Sequence, residues 1–86
     1  MTAYQLESLA QGVRESAFVC RDWATGMGSV YAVSCGRWGY LTADTIADAA
    51  YWLGKDGAQS CDDGAIEAAE ILAQAAIHWD ALQTIL

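Results

Sequence analysis

AFVCRDWATGMGSVYAVSCGRWGYLT, residues 17–42, is the stretch on which the fold turns. Its aromatic and β-branched residues fall in short runs, AFVCRDW and SVYAVSC. ATGMGS lies between them with two glycines that suit a turn. GRWG then separates SVYAVSC from WGYLT. Runs of this length and composition predict two or three short antiparallel strands over residues 17–41. The alternation is imperfect, however, and a helical solution fits the same residues. In it the first helix continues through Trp23 and residues 29–35 form a short helix.

The flanks are helical either way. Residues 2–16 open with Thr2 and Gln5 in the spacing of a capping box. Leu6, Leu9, Ala10 and Val13 follow as an apolar stripe, weakened at Gly12 by about 1 kcal/mol relative to Ala. In TADTIADAAYWLGKDG, residues 42–57, Thr42 is a cap. Ile46, Ala49, Ala50 and Leu53 recur at helical spacing and Gly54 follows as a stop, giving a helix over 43–53. GKDGAQSCDDG reads as a polar loop. Asp62 or Asp63 then caps a long last helix, AIEAAEILAQAAIHWDALQTIL. Its polar stripe is narrow: Glu67, Glu70, Gln74 and His78, at i, i+3, i+7 and i+11. Ile66, Leu72, Ile77, Trp79, Leu82 and Ile85 make the rest apolar, as in a helix that is central or covered by a partner. There is no internal repeat or linker. The expectation is one domain over residues 1–86 of class α+β, with an N-terminal helix, two or three short antiparallel strands and two C-terminal helices; the alternative is an all-α bundle.

The hydrophobic share of 55%, with four Trp, four Tyr and one Phe, excludes a disordered acidic tail. Eleven Asp and Glu against four Lys and Arg give a formal net charge of −7. Nucleic acid and anionic membrane surfaces repel such a chain, whereas a basic protein surface attracts it. Three Cys without a CxxC pair suggest free thiols in a reducing compartment. The start, MTAYQLESLAQGVRE, lacks the pattern of a signal peptide. No apolar run reaches the roughly 18 residues of a membrane span. The expected location is a cytoplasm.

Catalytic and metal chemistry find little footing. His78 is the one histidine, with no nucleophile placed beside it by any local motif. Near a helix C-terminus it reads as a cap charge or a surface residue. Cys20, Cys35, Cys61 and His78 lack the paired spacing of a zinc site. GMGS, residues 26–29, fails both phosphate-loop patterns. A helix-turn-helix over 42–72 would have an eight-residue loop by the sequence reading, and its recognition helix would turn acids toward phosphates. Neither a cofactor, a metal nor enzymatic activity is expected.

The acids themselves remain. Asp44 and Asp48 are one turn apart, Asp63, Glu67 and Glu70 share one face of the last helix, and Asp56, Asp62 and Asp63 cluster in the connecting loop. Like charges one turn apart cost an isolated helix about 0.2–0.5 kcal/mol per pair. The dipole of a helix N-terminus offsets this for Asp44 and Asp63. It leaves Asp48, Glu67 and Glu70 unaccounted for. A rigid row of carboxylates can imitate a phosphate backbone and occupy a nucleic-acid site.

The segment YLTADTIADAAYWLGKDG, with aspartates along its helix and WL near its end, followed by DDGAIEAAEILAQ, resembles the small acidic phage anti-CRISPR inhibitors of the DNA-mimic type. The resemblance covers about half the chain. It implies the order helix, short strands, helix, helix. It also implies a binding inhibitor whose partner is a bacterial Cas effector complex, blocked from target DNA at its nucleic-acid surface. Asp44, Asp48, Asp56, Asp62, Asp63, Glu67 and Glu70 would contact that partner, with no direct contact to nucleic acid or membrane. The alternative is a helical self-association or adaptor module, as a homodimer for instance, anchored by Trp79, Leu82, Ile85 and Leu86.

Overall fold

The computed structural model describes residues 1–23 and 28–86. Among the described residues five α-helices follow one another: α1 Ala3–Trp23, α2 Gly28–Ser34, α3 Ala43–Gln59, α4 Asp63–Ile77 and α5 Trp79–Gln83, with a 3₁₀ turn at Trp38–Tyr40 before α3. No strand occurs among the described residues, so the α+β expectation is corrected to the all-helical alternative. The physical reason lies in the buried positions. Ala10, Val13, Ala17 and Cys20 form one unbroken stripe along α1, at i, i+3, i+7 and i+10. The helix therefore continues through AFVCRDW. In SVYAVS the buried residues are Val30, Val33 and Ser34, a helical spacing, while Tyr31 points to solvent. Packing on a helical stripe outweighs the β-preference of the individual side chains. Of the expected turn at ATGMGS, residues 24–27 lie outside the described residues; Gly28 and Ser29 open α2.

The caps fall where the residues foretell them. Thr2 Oγ1 accepts from the Gln5 amide at 3.1 Å while Gln5 Oε1 accepts from the Thr2 amide at 2.8 Å. Thr42 Oγ1 accepts from the Thr45 amide, and Asp62 Oδ1 from the Ala65 amide at 3.1 Å. Asp62, and not Asp63, is thus the cap of α4.

Gly54 does not stop α3, which runs on to Gln59. The glycine serves the approach of α4 instead: a Cβ at residue 54 would stand 3.3 Å from Ala69 Cβ, and one at residue 57 would stand 2.8 Å from Ala65 Cβ. The expected polar loop shrinks to residues 60–62, closed by Asp62 N–H to the Gly57 carbonyl and Cys61 N–H to the Ala58 carbonyl, with Cys61 at φ 53. The α3–α4 hairpin makes the broadest helix contact among the described residues. Alpha1 crosses α4 where Gly12 meets Ile71.

The long last helix is also corrected. It breaks at His78, whose backbone (φ −112, ψ 23) ends α4 and starts α5. The short α5 is held across the molecule by hydrogen bonds. Trp79 Nε1 donates to the Leu41 carbonyl at 2.9 Å, and Gln83 Nε2 donates to the carbonyls of Trp38 and Leu41. Arg14 donates to the carbonyl of Ile85 at 2.9 Å. One core results, around Val13, Val30, Ile46, Leu53, Leu72 and Leu82, and it is otherwise rich in alanine. Ser16, buried within it, donates to the Gly12 carbonyl.

Candidate functional site

The α3–α4 hairpin carries all the acids singled out from the sequence. Asp44, Asp48, Asp62, Asp63, Glu67 and Glu70 are exposed there; Asp56 is half-buried. Asp44 lies in the first turn of α3 and Asp63 in the first turn of α4, where the helix dipole favours a negative charge. Asp44 and Asp48 share a shallow depression with Thr45, Gly28 and Ser29. Asp44 and Glu70 also border one groove between the two helices. On α4, Asp63, Glu67 and Glu70 stand at i, i+4 and i+7, so they share a stripe.

The supposed loop cluster of Asp56, Asp62 and Asp63 does not exist as such. Residue 56 belongs to α3, Asp62 is spent as a cap, and Asp63 is the first residue of α4. Asp56 is half-buried, about 120° around the α3 axis from Asp44 and about 80° from Asp48.

Basic residues are scarce beside these acids. Lys55 is the one Lys or Arg on α3 and α4, and its Nζ lies over the Trp52 ring at 5.2 Å from the centroid. Arg21 covers Phe18 in the same manner, and Arg14 is engaged with Ile85 and Gln11.

The groove itself is a feature that sequence reasoning missed. About 600 Å³ of open space runs between α3 and α4. Its floor is made of small residues: Ala47, Ala50 and Gly54 from α3, Ala69, Ala73 and Ala76 from α4. Its rims carry Tyr51, 60% exposed, and Ile77, 72% exposed. The signal was present as Ala47–Ala50–Gly54 against Ala69–Ala73–Ala76, but only the pairing of α3 with α4 turns two small-residue stripes into one trough. By contrast Trp79 and Leu82, expected to face a partner, are 3% and 0% exposed and form part of the core. Ile85 and Leu86 pack against that core.

Among the described residues no group of three His, Cys, Asp or Glu side chains is arranged to hold a metal ion. Cys20 is buried, and desolvation pushes its thiol up to about 11; Cys35 and Cys61 are exposed. No helix of the described residues is long and apolar enough to cross a membrane.

Fold and site together define a small all-helical domain with an acidic, groove-bearing helical hairpin. No protein-family model, curated protein or solved structure matches the chain.

Proposed function

We propose that the protein is a binding inhibitor of the anti-CRISPR kind, which occupies the basic nucleic-acid surface of a bacterial Cas effector complex and keeps target DNA out. The observation that carries this reading is the set of exposed carboxylates Asp44, Asp48, Asp63, Glu67 and Glu70 on one helical hairpin that offers Lys55 as its sole Lys or Arg. Long-range attraction between such a face and a Lys- and Arg-lined groove raises the association rate and weakens with salt. The resemblance of residues 40–57 and 62–74 to acidic DNA-mimic inhibitors agrees with it. Asp56 and Asp62 contribute to the overall field and not to the contact face. Of the four side chains that the self-association alternative would use, Trp79 and Leu82 are buried in the core, while Ile85 and Leu86 are half-buried against it.

The test combines capture with displacement. Tagged protein is mixed with purified Cas effector complexes, washed at rising salt, and the retained complex is assayed for target-DNA binding by gel shift. Retention at low salt together with loss of the DNA-bound band is expected. An Asp44→Lys, Asp48→Lys double variant that holds and inhibits the complex as well as the parent would refute the proposal.

A further inference from the structure

A surface that only imitates phosphates has no use for an apolar trough, yet one lies between the acids. We propose that the α3–α4 groove seats a basic amphipathic helix of the partner protein, a contact that extends the inhibitor reading and relies on it only for the partner's being basic. The groove is floored from residue 43 to residue 54 of α3. At 1.5 Å per residue that length is about 16 Å, or three turns of an incoming helix. The alanine and glycine floor leaves room for aliphatic side chains that recur at i, i+4 and i+7, the usual register of a helix lying in a groove. Tyr51 and Ile77 supply apolar walls that water would otherwise cover.

The charge on the banks selects the occupant. Asp44 stands on the α3 side and Glu70 on the α4 side. A helix with Leu or Ile along one stripe and Lys or Arg beside it meets apolar floor and carboxylate banks together. A second copy of this chain, with a net charge of −7, would bring acids against acids. Nucleic acid would meet repulsion at both banks and offers no aliphatic ridge for the floor.

The probe is a fluorescein-labelled synthetic peptide of about 15 residues, four turns, with Leu at helical spacing and Lys elsewhere. A scrambled peptide of identical composition is the control. Anisotropy gives affinities, amide NMR shifts locate the peptide, and circular dichroism verifies that each variant is folded. The patterned peptide is expected to bind at least tenfold more tightly than the scramble, a difference of about 1.4 kcal/mol. Its shifts should centre on Ala47, Tyr51, Ala73 and Ile77. Ile77→Ser and Tyr51→Ala should each weaken it several-fold, and Asp44→Asn with Glu70→Gln should weaken it and flatten its salt dependence. Equal binding of patterned and scrambled peptides overturns the groove proposal, as do shifts that centre elsewhere or a chain dimer that the peptide does not dissociate. The peptide assay contains no Cas complex and the displacement assay contains no peptide. Peptide binding without DNA displacement therefore sinks the inhibitor reading alone, and the reverse sinks the groove alone.

Discussion

Gly57 of α3 and Ala65 of α4 meet so closely that a Cβ added at residue 57 would lie 2.8 Å from Ala65 Cβ, with the Ile66 amide nitrogen 3.3 Å away. Both neighbours belong to a packed helix and cannot swing aside as a side-chain tip would. In an isolated helix Gly57→Ala would gain about 1 kcal/mol from propensity. Here overpacking should win, with a net loss of about 1–3 kcal/mol. Gly54→Ala meets only Ala69 Cβ, at 3.3 Å, a gap that a small shift of α4 can widen. Its clash and its propensity gain should nearly cancel. Urea unfolding of the two variants checks the contrast, and equal destabilisation would show that the hairpin does not depend on this contact.

The chain leaves α3 through Cys61 in the left-handed region, φ 53, between two hydrogen bonds that return to Gly57 and Ala58. Non-glycine residues pay about 1–2 kcal/mol for that conformation. Cys61→Gly should therefore stabilise the protein, less the larger entropy glycine brings to the unfolded chain. A net rise in Tm of about 4 °C corresponds to roughly 1 kcal/mol in a domain of this size. Calorimetry of the variant decides it: an unchanged or lower Tm would mean that residue 61 relaxes out of the left-handed region at no cost.

Much of this fold was legible in the residues, and the errors share a cause. Thr2–Gln5, Thr42 and Asp62 act through bonds within one turn, so local sequence suffices to place them. Gly54 looks like a stop and Gly57 like part of a polar loop because the helix they approach lies further along the chain; only Ala65 and Ala69, brought opposite by the turn at 60–62, reveal them as contact glycines. Residues 17–23 and 28–34 carry strand-prone side chains, but their burial at Ala17, Cys20, Val30 and Val33 follows a helical period that a strand search passes over. The acids on α3 and α4 were found because charge is read directly, whereas the groove between Asp44 and Glu70 exists only once the two helices are paired.

Cys20 offers a chemical test of the core. Burial pushes its thiol up to about 11 from the ordinary 9.0. The folded state thus keeps the proton over a range where the unfolded chain has released it. Stability from this group is fully present below pH 9 and is lost as pH rises from 9 toward 11, with a slope of about 1.4 kcal/mol per pH unit at most. Cys20→Ala should remove that component, so the stability gap between parent and variant should narrow across this window. In native protein at neutral pH a thiol reagent should label Cys35 and Cys61, which are exposed, and reach Cys20 only on unfolding. Rapid labelling of all three in the folded protein would contradict the packing of α1 against the core.

Leu41 and the C-terminal α5 are tied at one acceptor. The Leu41 carbonyl receives Trp79 Nε1–H at 2.9 Å and Gln83 Nε2–H at 3.0 Å, and the Trp79 ring meets Trp38 edge to face with centroids 6.2 Å apart. Trp79→Phe keeps an aromatic ring in the core and removes one donor, while the other still serves the carbonyl. Its hydrogen-bond cost should be about 0.5–1.5 kcal/mol, beyond what the smaller ring loses in burial. Gln83→Ala removes the second donor and leaves the Trp38 carbonyl with the Leu41 N–H alone, for a loss of similar size. The double variant leaves Leu41 without either donor, in the part-buried seam that joins the 3₁₀ turn to α5. Its destabilisation should therefore exceed the sum of the two single losses by about 0.5 kcal/mol or more. Denaturant unfolding of the four proteins in the cycle measures this coupling. Strict additivity would mean that water replaces the indole donor at Leu41, and that the break at His78 is held by the burial of Trp79 and Leu82 alone.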